Sequence, residues 1–143
     1  MFLGEYKHNL DPKGRMAMPA KFRLKLEGGA VLTRGLDKCL FVFPEKEWDA
    51  LAQKIVSLPI SQSSSRAFSR LMLSGASDVE FDAQGRILIP ESLRKYAGLL
   101  KSVVVMGLYN RIEIWDEKIW NEYKNKTERE STEIAEKMLD LGI

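Results

Sequence analysis

Asp11-Pro12-Lys13-Gly14-Arg15-Met16-Ala17-Met18-Pro19 returns 71 residues later as Asp82-Ala83-Gln84-Gly85-Arg86-Ile87-Leu88-Ile89-Pro90. The shared phrase is Asp-x-x-Gly-Arg, an apolar-x-apolar triplet, then Pro. Gly4 and Gly75, and Arg23 and Arg94, keep the same offset. Further on the offset becomes 72, matching Val31 with Val103, Gly35-Leu36 with Gly107-Leu108, and Trp48 with Trp120. Solenoid repeats run about 20–50 residues, so this period points to two copies of one small unit rather than to an array.

Each copy spells the same order of elements. Asp-Pro-Lys-Gly is a type I turn signal: Asp can accept from the backbone, Pro presets φ, and Gly closes the turn. Alternating residues flank each turn, with Tyr6, His8 and Leu10 before the first and Val79 and Phe81 before the second. This period of two predicts strand-turn-strand. Pro19 and Pro90 fall where a first helical turn tolerates a missing N–H, predicting short helices at about 20–26 and 91–97. Leu40-Phe41-Val42-Phe43 and Ile112-Glu113-Ile114-Trp115 then read as strands. Between the copies, Trp48, Leu51, Ala52, Ile55 and Val56 have helical spacing. Leu58-Pro59 breaks that helix, and Ser61–Ser65 offers caps for another carrying Phe68, Leu71 and Met72. The tail beyond Trp120 is charged, with a weak apolar stripe, and is read as a helix or a frayed end.

Composition narrows the function classes. The chain has 143 residues, 45% hydrophobic and 29% charged, as expected of a globular domain able to bury a core. One cysteine, Cys39, permits no intrachain disulfide and fits a reducing compartment. The sequence shows neither a leader nor a long apolar span, so the expected location is the cytoplasm, with no membrane partner. The net charge of +2 is small but unevenly spread. Residues 1–26 carry six cations against Glu5 and Asp11, a net of +4, whereas the matching residues 74–97 carry −1.

Taken together, the Met1-Phe2-x-Gly4 opening, Asn9-Leu10-Asp11-x-Lys13-Gly14-Arg15 with Pro19, the second Asp82-x-x-Gly85-Arg86 with Pro90, Gly75-Ala76, and Trp115-Asp116-Glu117 with Trp120 resemble the MraZ family. Its members are bacterial transcriptional regulators with two tandem AbrB-like modules, and the resemblance covers essentially the whole chain. It implies an α+β, mainly β fold: two swapped-hairpin modules closing one pseudo-twofold β-barrel of double-psi-like form, with peripheral helices. The modules are expected at 1–48 and 74–120, a helical connector at 49–73, and a charged helix or tail at 121–143. The resemblance also implies a ring-shaped homo-oligomer that binds double-stranded DNA. Its sites there would be short repeated boxes upstream of the division and cell-wall gene cluster, which implies association with the nucleoid.

The turn chemistry permits two readings. Arg offers a fork that fits phosphate or the O6/N7 edge of guanine, Lys a mobile point charge, and Gly14 allows close approach of the backbone. On this reading Lys13, Arg15 and Arg86 contact DNA, with Lys7, Lys21 and Arg23 as further candidates. On the other, Asp and Arg four residues apart pair with each other and fix the turn. Asp11, Gly14, Asp82 and Gly85 are read as structural, because an acid facing phosphate repels it. Since Gln84 stands where the first copy has Lys13, the first turn is expected to carry most of the DNA contact.

Enzymatic chemistry finds little support. His8 is the only imidazole and Cys39 the only thiol; they form no nucleophile-base or metal-ligand pattern. No P-loop or dinucleotide motif appears, so no cofactor, metal or small-molecule substrate is expected. An Asp11–Asp82 acid dyad is disfavoured by the Arg that follows each. The alternative from another class is a protein-interaction module of antitoxin type, using the helices near 45–57 and 66–73 or the tail.

Overall fold

The apolar-x-apolar triplets and the prolines after them set the local structure in both copies. The computed structural model describes residues 1–143. In the first copy, β1 (Phe2–Asn9), β2 (Arg15–Ala17), α1 (Ala20–Leu24), β3 (Ala30–Arg34), β4 (Leu40–Pro44) and α2 (Glu45–Val56) follow in order. Helix α3 (Ser63–Ser74) leads into β5 (Ser77–Asp78), β6 (Arg86–Leu88), α4 (Glu91–Tyr96), β7 (Ser102–Tyr109), β8 (Ile112–Asp116) and α5 (Glu117–Arg129). Helix α6 (Ser131–Glu136) and a 3-10 turn (Leu139–Leu141) end the chain. Pro19 and Pro90 occupy the N-caps of α1 and α4, where their carbonyls accept from Phe22 and Arg23, and from Leu93 and Arg94.

Pairing crosses between the copies. Six strands form one antiparallel sheet in the order β1-β7-β8-β4-β3-β5, and β2 pairs with β6 in a two-stranded ribbon. The expected local hairpin between β1 and β2 therefore shrinks to a single bridge, Leu10↔Met16, matched by Phe81↔Ile87 in the second copy. The reason is the swap: β1 pairs along its whole length with β7 of the other copy. In place of the expected closed barrel the strands form two separate sheets, with the bridges at Leu10 and Phe81 joining the segments after β1 and β5 to the ribbon.

A pseudo-twofold axis can be read from the register. In the β4–β8 ladder Phe41 faces Glu113, its own repeat mate. In the β2–β6 ribbon Met16 faces Ile87, also its mate. Met18 N donates to Gly85 O and Ile89 N donates to Gly14 O, two bonds related by the same symmetry.

Both faces of the central strands are buried, which explains their near-continuous apolar runs. One core lies between sheet and ribbon and includes Met16, Phe22, Leu40, Ile87, Leu93 and Ile112. The other lies under α2, α3 and α5 and includes Cys39, Phe41, Phe43, Ile55, Met72 and Trp115. Glu113 sits in this second core, its carboxylate accepting from Trp115 Nε1 at 2.9 Å and from Arg111 Nε at 3.1 Å. Asp116 caps α5 through Ile119 N. No serine of the 61–65 stretch caps α3: Ser63–Ser65 form its first turn, and the N-cap is Gln62, with no side-chain bond.

Candidate functional site

The two Asp-x-x-Gly-Arg turns are built alike. Asp11 Oδ1 accepts from the backbone N–H of Lys13 at 3.0 Å and of Arg15 at 2.8 Å, while Oδ2 takes Arg15 Nε at 2.6 Å. Asp82 Oδ1 takes Gln84 N and Arg86 N, each at 2.9 Å, and its Oδ2 takes Arg86 Nε at 2.8 Å. The backbone N–H of Arg15 is the main reason the Asp11 carboxyl is held below its ordinary pKa. Partial burial opposes this, and the Arg15 side chain and Lys13 N–H reinforce it. Asp82 is lowered in the same way, first by the N–H of Arg86. Both aspartates are thus committed to shaping their turns.

Each arginine donates to its aspartate through Nε, and the terminal Nη groups donate no hydrogen bond. In the ribbon, Met16 and Ile87 point into the core, so Arg15, Ala17, Arg86 and Leu88 share the outer face. Arg86 Nη1 comes within 3.7 Å of Asp11 Oδ2, joining the second turn to the first. The result is a narrow ribbon with two guanidinium groups fixed on one surface. Lys13 and Gln84 stand exposed at the two turn tips.

Two further arginines reach the turns from the opposite copy. Arg94, on α4, lies over Gly14, and its repeat mate Arg23, on α1, lies over Gly85. Gly14 has φ +82° and Gly85 φ +75°, a region that strains any side chain. A methyl group at either position would also overlap the guanidinium above it. A groove beside the first turn is lined by Asp11, Glu91, Arg94, Lys95 and Lys101 among others. The positive groups near the first turn thus include Lys13, Arg15 and Arg94, and those near the second Arg86 and Arg23.

Of the sequence candidates, Lys13, Arg15, Arg86 and Arg23 are therefore at the turns. Lys7 is engaged elsewhere, 3.6 Å from Glu117 on α5, and Lys21 lies over the Tyr6 ring at 5.1 Å. Sequence reasoning gave Arg94 no role at the site, and charge counted copy by copy cannot find it, because the swap moves it to the other turn. The available signal was the offset of 71 tying Arg23 to Arg94 just as it ties Gly14 to Gly85. No group of three or more His, Cys, Asp or Glu side chains is placed to hold a metal ion. No helix is long and apolar enough to cross a membrane.

The sequence profile of a family described as “MraZ protein, putative antitoxin-like” matches residues 1–71 and again residues 72–142. Similar proteins carry the description transcriptional regulator MraZ. That of Halothermothrix orenii is 55% identical over 143 residues, spanning 100% of both chains. That of Natranaerobius thermophilus is 51% identical over the same full span. That of Carboxydothermus hydrogenoformans is 50% identical over 141 residues, 99% of each chain.

Proposed function

The chain belongs to the MraZ family, and from this premise we propose that it is a DNA-binding transcriptional regulator whose β2–β6 ribbon contacts duplex DNA. The single observation that carries the reading is the outer face of that ribbon. Arg15 and Arg86 are fixed there through Nε, while both terminal nitrogens of Arg15 and one of Arg86 stay unpaired. An unbonded guanidinium edge suits a phosphate or the O6/N7 edge of guanine. A two-stranded ribbon fits a major groove about 12 Å wide. Because each carboxylate already accepts three N–H hydrogen bonds within its own turn, it shapes the turn without leading the contact.

The first turn dominates, since Lys13 stands at its tip and Arg94, Lys95 and Lys101 line the groove beside it. The sites are short repeated boxes upstream of the division and cell-wall gene cluster, including the region upstream of the protein's own gene. One chain offers few phosphate contacts, so affinity for one box is weak and falls steeply with salt. Self-association into a ring that presents several copies to several boxes raises affinity through effective concentration. Action is in the cytoplasm, at the nucleoid.

The test is binding of the assembled protein to duplexes carrying one box or several, at two salt concentrations. Arg15→Ala is expected to lose about 1–3 kcal/mol of binding, and Lys13→Ala to reduce the salt slope by about one. Arg86→Ala should lose less than Arg15→Ala. Wild-type protein with no preference for upstream DNA over an unrelated duplex would refute the function. Equal losses at Arg15 and Arg86 would refute the dominance of the first turn.

A further inference from the structure

The two copies end differently. After α2 the chain runs through residues 57–62 and returns as α3, burying Met72 and half-burying Phe68 against the sheet. After α5 a single residue, Glu130, separates the helix from α6. Every residue of α6 is exposed. Beyond α6, the apolar side chains of the closing segment stay in solvent: Leu139 is 69% exposed, Leu141 70% and Ile143 85%. Acidic groups surround them at Glu130, Glu133, Glu136 and Asp140, with Lys137 the only base between 130 and 143.

A complementary surface lies between α2 and α3. Val56 (68% exposed), Leu58 and Ile60 (83% exposed) line a groove there with Leu73. Its charged lining residues are Arg66 and Arg70, with no acid among them. Arg66 donates to Ile60 O, and neither arginine has a carboxylate within ion-pair distance.

We infer that the C-terminal segment of a second copy, residues 131–143, docks in the α2–α3 groove. Apolar residues on an acidic segment meet an apolar groove edged by unpaired arginines. Groove and segment are different parts of the chain, so the contact is head-to-tail and can propagate until the rotation closes a ring. This deepens the self-association proposed above and rests on it; it does not depend on DNA contact.

Light scattering coupled to size-exclusion chromatography, applied to the full chain, a variant lacking residues 131–143, Ile60→Asp, and Arg66→Glu with Arg70→Glu, tests the contact. The assembled species should be lost in all three variants, with cooperative unfolding and the strand signal of the core retained. An Ile60→Cys, Leu141→Cys chain should form disulfide-linked ladders between copies on oxidation. Assembly that survives removal of the segment overturns the inference, as does a disulfide closing within one chain. Wild-type protein that is monomeric at every concentration refutes the self-association itself, a result distinct from either.

Discussion

Asp11 and Asp82 each gather two backbone N–H groups and one arginine Nε on a single carboxylate. Both are lowered from the ordinary value of 3.8, chiefly by a backbone N–H. A carboxyl held lower in the folded than in the unfolded chain contributes stability above the unfolded pKa. That contribution is lost as pH falls through the folded value. Urea midpoints measured at about pH 5 and about pH 3 should therefore drop for the wild type. The drop should be smaller for the Asp11→Asn, Asp82→Asn protein, which starts less stable at neutral pH; an identical drop in both would show that other carboxylates govern acid unfolding. The Asp–Arg pairing was legible from a spacing of four residues across a turn. What the spacing could not tell is which nitrogen pairs. Use of Nε leaves both terminal nitrogens of Arg15 and one of Arg86 unpaired, so a structural role does not consume the whole side chain.

At the scale of elements, the ribbon rests on Met16 and Ile87, facing each other on the pseudo-twofold axis and 0% and 1% exposed. Met16→Ala removes the bulk of a fully buried side chain under the two arginines. It should cost roughly 2–5 kcal/mol of stability, read from chemical denaturation. DNA affinity should fall even under conditions where the variant stays folded, because the surface loses its support; unchanged affinity would show that the ribbon keeps its shape without this side chain. Strands and helices were legible because their signals are local: Pro19 and Pro90 start α1 and α4, and alternation marks β1. Pairing was not, since Leu10 and Met16 fit a local hairpin as well as the swap. The choice is made by β7, nearly 100 residues away, whose eight residues all pair with β1. The uncapped start of α3 has a related cause, as packing of Phe68 and Met72 holds the helix without a serine cap.

Across the whole molecule, neither copy is complete by itself. β1 pairs with β7, β2 with β6, and β5 with β3, and Arg23 and Arg94 each cover a glycine of the other copy. A fragment of residues 1–71 should therefore yield no folded monomer. Sedimentation and circular dichroism should find it either unfolded or dimeric, whereas a stable monomer with native strand content would refute the interlock. The axis pair Phe41 and Glu113 has one more consequence. In a symmetric homodimer of a single module, a residue on the axis faces its own copy: Phe would meet Phe, or Glu would meet Glu with two buried carboxylates in repulsion. Joining both modules in one gene lifts that restriction. Each half can then mutate without imposing the same change on its mate, so Glu113 keeps Arg111 and Trp115 as partners while an aromatic ring sits across from it.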